Sequence, residues 1–307
     1  MQRDERKDLD VAVDEGALEW LTSCILDAIA SGVTVEPTAL LFLLRRCAAT
    51  DREDLRDALG QALASAMAES RADTTDNRAC WLMLFTEAIA VSDDERLATA
   101  AADLVASLRA EWTTGSEVDQ VAHAIDACLA GAEIVAPHEL VPAAIDQLER
   151  IVVATYRPGE GIGHVIEEPN RQRGRLSDHV RASSALLTGF AQSGRLPYSM
   201  LAEELMQFVR RTLWDDREGG FFEGPVLESN TERLKPFALN CEAARVLCRL
   251  DRLHHDDEYR RVAVVATATD YGRDAARALT SQTPDLRARG LGAAIYGVAL
   301  GELLSLR

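Results

Sequence analysis

Apolar positions recur along this chain at the three-to-four-residue spacing of helices that bury one face. In 94–111, for example, Leu97 and Leu104 lie on one stripe and Glu95 lies opposite. Other stretches, such as 79–90, are apolar or small nearly all round. That pattern is typical of helices that neighbours cover on most sides. The two kinds alternate, which predicts an all-α chain of inner and outer helices.

The number of helices predicts a closed ring. Six stretches are of the buried kind and five are amphipathic, and segment 15–31 supplies a sixth outer helix if the last helix packs beside the first. We therefore predict one domain over 1–307, an (α/α)6 toroid of six helical hairpins whose N-terminal helix closes the ring with the C-terminal helix. An open superhelix of helix pairs is the competing arrangement. Residues 1–14 are predicted to form a flexible or loosely packed segment. The buried stretches are 36–49, 77–91, 118–131, 177–193, 239–252 and 285–306, and the amphipathic ones are 51–71, 94–111, 138–155, 198–213 and 257–279.

An internal repeat supports the hairpins. Asn77 precedes the acidic run at 93–95 by 16 residues, and Asn240 precedes a similar run at 256–258 by the same 16. In both places an apolar helix follows the asparagine and an amphipathic helix begins at the acidic turn. Such self-similarity at a fixed spacing is typical of repeated helical units.

Two connections, 157–175 and 215–236, are longer than most loops between helices, and loops of this length are often functional. Both run from an outer helix to the next inner helix. In an alternating ring, all such connections lie at one end. We therefore expect the two loops to be neighbours on the rim where the inner helices begin, and we expect the functional site there.

Polar residues at this rim form the candidate site. His164 lies in the first long loop and His179 begins the helix after it, and imidazoles suit acid–base chemistry near neutral pH. Nearby carboxylates fit a glycosidase, which needs two acids flanking one bond. Helix capping is the competing interpretation for Asp and Asn at helix starts. The catalytic candidates are His164, Asp178, His179, Glu223 and Glu242, and the ligand-binding candidates are Arg181, Phe222, Arg233, Asn240 and Arg287.

The net charge of −17 disfavours nucleic acid and anionic membrane surfaces as partners, because both require clustered Lys and Arg. No stretch reaches the 18 or so apolar residues of a transmembrane helix, and the charged start lacks the apolar core of a signal peptide. These features predict a cytoplasmic protein. No feature of the sequence indicates its oligomeric state.

The six cysteines are scattered through apolar helical stretches without a CxxC pair, which indicates buried free thiols. No HxxxH or HExxH spacing suggests a metal, and no P-loop or dinucleotide fingerprint surrounds the glycines of 159–163. We therefore predict neither a metal nor another cofactor.

Residues 157–270 resemble the helical part of YyaL-like, spermatogenesis-associated thioredoxin-domain proteins. In that family a Leu-x-Asp opens an inner helix, an outer helix ends in Trp/Phe-Asp, and Gly-Gly-Phe-Phe follows. The resemblance implies a six-hairpin toroid, and more distantly the N-acylglucosamine 2-epimerase-like sugar isomerases and many glycosidases. No thioredoxin-like domain is present, and the run around the asparagine differs from the family's. The matching residues are Leu176, Asp178, Trp214, Asp215, Gly219, Gly220, Phe221, Phe222, Asn240, Asp257, Glu258 and Tyr259.

Three functions remain open at this point. The first is a carbohydrate-active enzyme, isomerase- or epimerase-like or glycosidase-like, with a sugar-sized ligand at the rim. The second is a non-catalytic toroid that serves as a binding or scaffold module, because aromatics make up only 5% of the chain and sugar sites usually stack rings. The third is an apolar ligand in the lumen. The residues that line the pore would distinguish these three.

Overall fold

The computed structural model describes residues 15–69, 74–92, 94–135, 139–168, 170, 172–225, 233–263 and 269–306. The predicted N-terminal segment 1–14 and residues 226–232 of the second long loop lie outside the described residues.

Among the described residues, six helices form a closed inner ring. Each packs against the next along the chain, and the last packs against the first, so the predicted toroid is confirmed and an open superhelix is excluded. The inner helices are α2 Pro37–Thr50, α4 Thr75–Ile89, α6 Val118–Val135, α8 Leu176–Ser193, α10 Phe237–His255 and α13 Ala294–Leu304.

Each outer helix packs against at least one inner helix. They are α1 Glu15–Ala30, α3 Glu53–Glu69, α5 Glu95–Thr114, α7 Leu140–Thr155, α9 Leu196–Thr212, and the short pair α11 Asp257–Val262 and α12 Tyr271–Thr280. Their apolar stripes face inward, as Leu97, Leu104 and Leu108 of α5 do. The predicted alternation of inner and outer helices is therefore confirmed.

The N-terminal helix α1 closes the ring beside α13, as predicted. Leu21 of α1 and Phe42 of α2 are buried against Gly297 of α13. A Cβ at Gly297 would lie 2.6 Å from Phe42 Cε2 and 2.8 Å from Leu21 Cδ1. The three helices thus pack tightly where the ring closes, and a Cβ at position 297 would collide with its neighbours.

In both copies of the repeat, an aspartate of the acidic turn caps the N-terminus of the next outer helix. Asp94 accepts a hydrogen bond from the backbone N–H of Arg96 at 3.0 Å. Asp256 accepts one from the N–H of Tyr259 at 2.8 Å. A capping carboxylate satisfies a backbone donor that the first helical turn leaves free. The repeat therefore reflects where outer helices start.

Two predicted helix boundaries at the C-terminal end are wrong. The predicted outer helix 257–279 is two helices, and the last inner helix begins at Ala294 rather than at 285. Residues 283–293 form 3-10 turns instead. Pro284 lacks the backbone donor of a helix interior, and Gly290 takes a positive φ of 54°, which interrupts helical geometry.

The two long loops meet at the rim where the inner helices begin. The backbone carbonyl of Glu223 accepts a hydrogen bond from the N–H of Leu176 at 2.9 Å, which joins the second loop to the start of α8. The first loop forms a small hairpin of β1 Tyr156–Arg157 and β2 Gly161–Ile162. The described parts of the loops are therefore neighbours, as the ring topology requires.

Candidate functional site

A cavity of about 550 Å³ occupies the lumen of the ring. Side chains from all six inner helices line it, and many of them are charged. No Phe, Tyr or Trp is among the described residues that line it. The charged lining residues are Glu36, Arg45, Glu87, His123, Asp126, Arg181, Glu242, Arg245, Arg249, Arg252 and Glu302.

Arg181 connects three inner helices near the mouth of this cavity. Its Nη1 and Nη2 donate to the two carboxylate oxygens of Asp76 at 2.9 and 3.1 Å. Its Nε donates to Glu242 Oε2 at 3.4 Å. His123 Nδ1 lies 3.2 Å from Asp76 Oδ1. Two carboxylates therefore flank one guanidinium, and an imidazole supports one of them. We call these four residues the mouth network.

The mouth network shifts the pKa values of its members in opposite directions. Burial would raise the pKa of Asp76, but the His123 hydrogen bond and the charge of Arg181 outweigh it and lower that pKa to about 2. Burial would lower the pKa of His123, but the Asp76 and Cys80 side chains raise it to about 10. At neutral pH, Asp76 is therefore a carboxylate and His123 an imidazolium.

Deeper in the lumen, Glu302 of α13 links two arginines. Arg45 Nη1 donates to Glu302 Oε1 at 2.5 Å, and Arg245 Nε donates to the same oxygen at 3.0 Å. Arg45 also holds Glu87 through Nε at 2.9 Å and Nη2 at 2.5 Å. Burial would raise the pKa of Glu302, but Arg245 and Arg45 lower it to about 2. These ion pairs join α2, α4, α10 and α13 across the lumen.

Beside them, two hydroxyls separate Arg249 from Asp126. Asp126 accepts hydrogen bonds from Ser184 and Thr188 at 2.6 Å each. Arg249 donates to the same two hydroxyls at 3.2 and 3.0 Å. The hydroxyls therefore fix both charged groups without a direct ion pair between them.

The predicted residues His164 and Asp178 contact each other at the rim, outside the cavity lining. Asp178 Oδ1 lies 2.9 Å from His164 Nδ1, and Arg175 Nη1 donates to His164 Nε2 at 2.9 Å. Because Nε2 accepts, Nδ1 carries the hydrogen that Asp178 accepts. Burial raises the pKa of Asp178 to about 7 despite that hydrogen bond. Asp178 is fully buried and His164 is 5% exposed, so the pair has little access to a ligand.

The same rim holds the one group of described residues with metal-ligand spacing, formed by Glu117, Asp119 and His164. Arg175 donates to the His164 nitrogen that would face a metal ion. A guanidinium therefore already supplies positive charge at this position.

His179 is fully buried. One of its ring nitrogens forms a hydrogen bond with the first long loop, and the other contacts the backbone just before its own helix. Its Nε2 accepts from the N–H of Ile162 at 3.1 Å, and its Nδ1 lies 2.7 Å from the carbonyl of Arg175. Phe208 stacks on the ring with centroids 4.9 Å apart. Burial lowers the pKa of His179 to about 4. The structure thus places His179 where it holds the loop against α8.

Asn240 joins the second loop to α10. Its Oδ1 accepts from the N–H of Phe221 at 2.6 Å, and its Nδ2 donates to the Phe221 carbonyl at 3.0 Å. Gly219 and Gly220 precede this contact with φ of 81° and 79°, a conformation that suits glycine. The asparagine therefore clamps the loop backbone.

The other candidates are divided between the lumen and the outer rim. Arg181 and Glu242 line the cavity. Glu223 is exposed, and Phe222 lies under the guanidinium of Arg233, 3.8 Å from its ring centroid. Arg287 is exposed and lies over Trp20 at 5.3 Å. The structure therefore brings only two of the ten candidates into the lumen.

Sequence reasoning missed most of the lumenal charges. Arg45, Arg245 and Arg249 each lie in a stretch predicted to be buried, 36–49 or 239–252, which is the signal that could have found them. A charged residue in a covered helix needs a partner or a polar cavity. Asp76 carried no such signal, because an acid in the first turn of a helix is expected anyway.

No family model matches the chain, and no curated protein matches it. Solved structures do. An unsaturated glucuronyl hydrolase specific for heparin superposes with a TM-score of 0.72 at 10% identity, over 95% of this chain and 98% of that one. An alpha-mannanase from Bacteroides thetaiotaomicron gives 0.62 at 8% identity, over 88% and 86%. Cellobiose 2-epimerase from Bacillus thermoamylovorans gives 0.57 at 8% identity, over 73% and 72%. At these identities the likeness shows the toroid fold alone.

None of the helices in the described part of the chain combines the length and the apolar character needed to span a bilayer.

Proposed function

We propose that this protein binds a carbohydrate in the lumen of the toroid and acts on it as a glycosidase- or isomerase-like enzyme. The observation that carries the proposal is the mouth network, in which Arg181 contacts the carboxylates of Asp76 and Glu242, and Arg181, Glu242 and His123 line the cavity. Structures of the same fold include glycosidases and sugar epimerases, which supports a carbohydrate ligand. The finer kinship with YyaL-like proteins is part of this proposal.

Within this network Glu242 is the group placed to exchange a proton with the ligand. Its side chain is 24% exposed toward the cavity, and its one contact with Arg181 is long, at 3.4 Å. Asp76 is held at both oxygens by Arg181, so it positions the guanidinium and balances its charge. His123, an imidazolium at neutral pH, can donate a proton or a hydrogen bond on the same side of the cavity.

A second function, binding without catalysis, is favoured by a specific observation. Arg181 engages both carboxylates of the mouth network, and no aromatic ring among the described residues lines the cavity. An engaged carboxylate is a weaker base, and a sugar site without stacking rings binds less tightly. The apolar-ligand alternative is disfavoured, because each of the six inner helices contributes at least one charged side chain to the cavity lining.

The test is a paired measurement of binding and turnover. A panel of neutral and acidic mono- and disaccharides, with their nitrophenyl glycosides, is titrated calorimetrically and assayed for hydrolysis and for isomerisation of the reducing end. Glu242→Gln keeps the shape of the side chain and removes its proton transfer, so turnover should fall about 100-fold or more while binding stays within a few-fold. Glu258→Gln, at an exposed position on α11, is the control.

Binding without turnover in the wild type would favour the second function. Turnover that Glu242→Gln leaves unchanged would refute the role of the mouth network. If no saccharide binds, the carbohydrate proposal itself is wrong.

A further inference from the structure

The deep half of the lumen carries more positive than negative side chains. Four arginines line it, and three carboxylates face them. The arginines are Arg45, Arg245, Arg249 and Arg252, and the carboxylates are Glu87, Asp126 and Glu302.

Arg249 takes part in none of the ion pairs found among the described residues of this region. Arg45 pairs with Glu87 and Glu302, and Arg245 pairs with Glu302. Arg252 is exposed at the far end. Arg249 donates only to uncharged oxygens, the carbonyl and hydroxyl of Ser184 and the hydroxyl of Thr188, and no carboxylate among the described residues forms an ion pair with it.

This arrangement costs free energy in the unliganded protein. Burial lowers the pKa of Arg249; the carboxylates of Asp126 and Glu302 oppose this, and the charges of Arg245 and Arg252 add to it. Asp126 reaches this buried cation only through the two hydroxyls, so an anion placed directly on the guanidinium would compensate its burial better. An anionic group of a ligand would supply that partner.

The geometry also leaves donors free for such a group. The three hydrogen bonds of Arg249 come from Nη1 and Nη2, and a guanidinium has five N–H donors. The Nε–H and a second Nη–H remain, which suits the bidentate binding of a carboxylate or phosphate. Ser184 and Thr188 hold the guanidinium in place, so little side-chain entropy is lost on binding.

We propose that the lumenal ligand carries an acidic group, a carboxylate or a phosphate, and that this group pairs with Arg249. The inference rests on the proposed carbohydrate function and specifies its substrate class. Arg249 lies seven residues beyond Glu242 on α10, which places it about 10 Å deeper at 1.5 Å per residue. That separation exceeds one sugar ring, so the ligand is a saccharide of about two units with its acidic group at the deep end.

Calorimetric titration of the full chain tests this. The probes are cellobiose, the same disaccharide oxidised to a uronate at one end, its counterpart with a phosphate at that end, and glucuronate and inorganic phosphate alone. We expect at least one acidic disaccharide to bind about 10- to 100-fold more tightly than cellobiose, since hydrogen bonds to a charged group contribute about 1.5–3 kcal/mol. The uronate and phosphate arms identify which acidic group the site takes.

Two variants assign the effect to Arg249. Arg249→Gln should lower affinity for the acidic disaccharide at least tenfold and change affinity for cellobiose less than threefold. Arg249→Lys, which keeps the charge, should restore part of the preference. Arg217→Gln, an exposed arginine outside the lumen, is the control. Thermal unfolding of each variant checks that the fold is retained.

Equal affinity for acidic and neutral disaccharides would overturn the inference while leaving the carbohydrate function intact. An acidic preference that survives in Arg249→Gln would overturn the assignment to this residue. Absence of binding by every saccharide would refute both proposals together.

Discussion

The closure of the ring can be tested at one glycine. Gly297→Ala places a methyl group 2.6 Å from Phe42 Cε2 and 2.8 Å from Leu21 Cδ1, and both neighbours are almost fully buried. Neither can swing aside without displacing α1 or α2. Overpacking of this kind costs about 1–3 kcal/mol. This cost outweighs the stabilisation of about 0.5–1 kcal/mol that replacing glycine by alanine brings in a helix interior.

Gly301 is the matched control, because it lies one turn further along α13 and a Cβ there would meet no atom within 4 Å. Gly301→Ala should therefore raise the melting temperature by about 1 °C, and Gly297→Ala should lower it by about 1–4 °C. These shifts assume an unfolding entropy of about 0.6 kcal/mol/K for 307 residues. Differential scanning calorimetry at pH 7 measures both. If Gly297→Ala stabilises the protein as much as Gly301→Ala, the described contact of α1, α2 and α13 is wrong.

Two further predictions concern titrating groups in the lumen. Glu302→Gln removes the negative charge that Arg45 and Arg245 contact, and should cost about 3 kcal/mol at pH 7, because a pKa lowered from 4.5 to about 2 corresponds to that free energy. This stability is present above pH 4.5 and is lost as the pH falls toward 2. Between pH 6 and 2.5, the free energy of unfolding measured with urea should therefore fall less in the variant than in the wild type. An equal fall in both proteins would refute the role of Glu302. Asp76→Asn should lower the pKa of His123 from about 10, which NMR titration of the imidazole reports directly. In the wild type, the stability that comes from this raised pKa is fully present below pH 6.5 and is lost as the pH rises through about 10. The variant should lack this contribution. A His123 that titrates identically in both proteins would contradict its pairing with Asp76.

The fold was predictable because the ring imposes a different pattern on each layer. An outer helix such as α5 shows one apolar stripe, and an inner helix such as α4 shows few exposed positions, and both patterns are local. The segment of 3-10 turns at 283–293, which delays the start of the last inner helix, was harder to predict. Pro284 at the start of a segment is compatible with a helix, and Gly290 interrupts one only because of the backbone angles it adopts.

The candidate site was less predictable, because contacts between distant helices decide which polar residue faces the lumen. His179 and Asn240 have the chemistry of site residues, yet the loops they hold consume their hydrogen bonds. Arg181 and Glu242 each lie two residues further along the same two helices, and there the side chains line the cavity. A shift of two positions turns a helical side chain by slightly more than half a turn, and sequence spacing alone does not show which direction is inward.

The central claim is that the lumen between Arg181 and Arg249 is a carbohydrate site. The most direct measurement is a crystal structure of the protein soaked with the acidic disaccharide that binds best. We predict electron density for two sugar units in the lumen, with hydroxyls near Glu242 and the acidic group on Arg249. Density confined to the outer rim loops, or an empty lumen at saturating ligand, would contradict the claim.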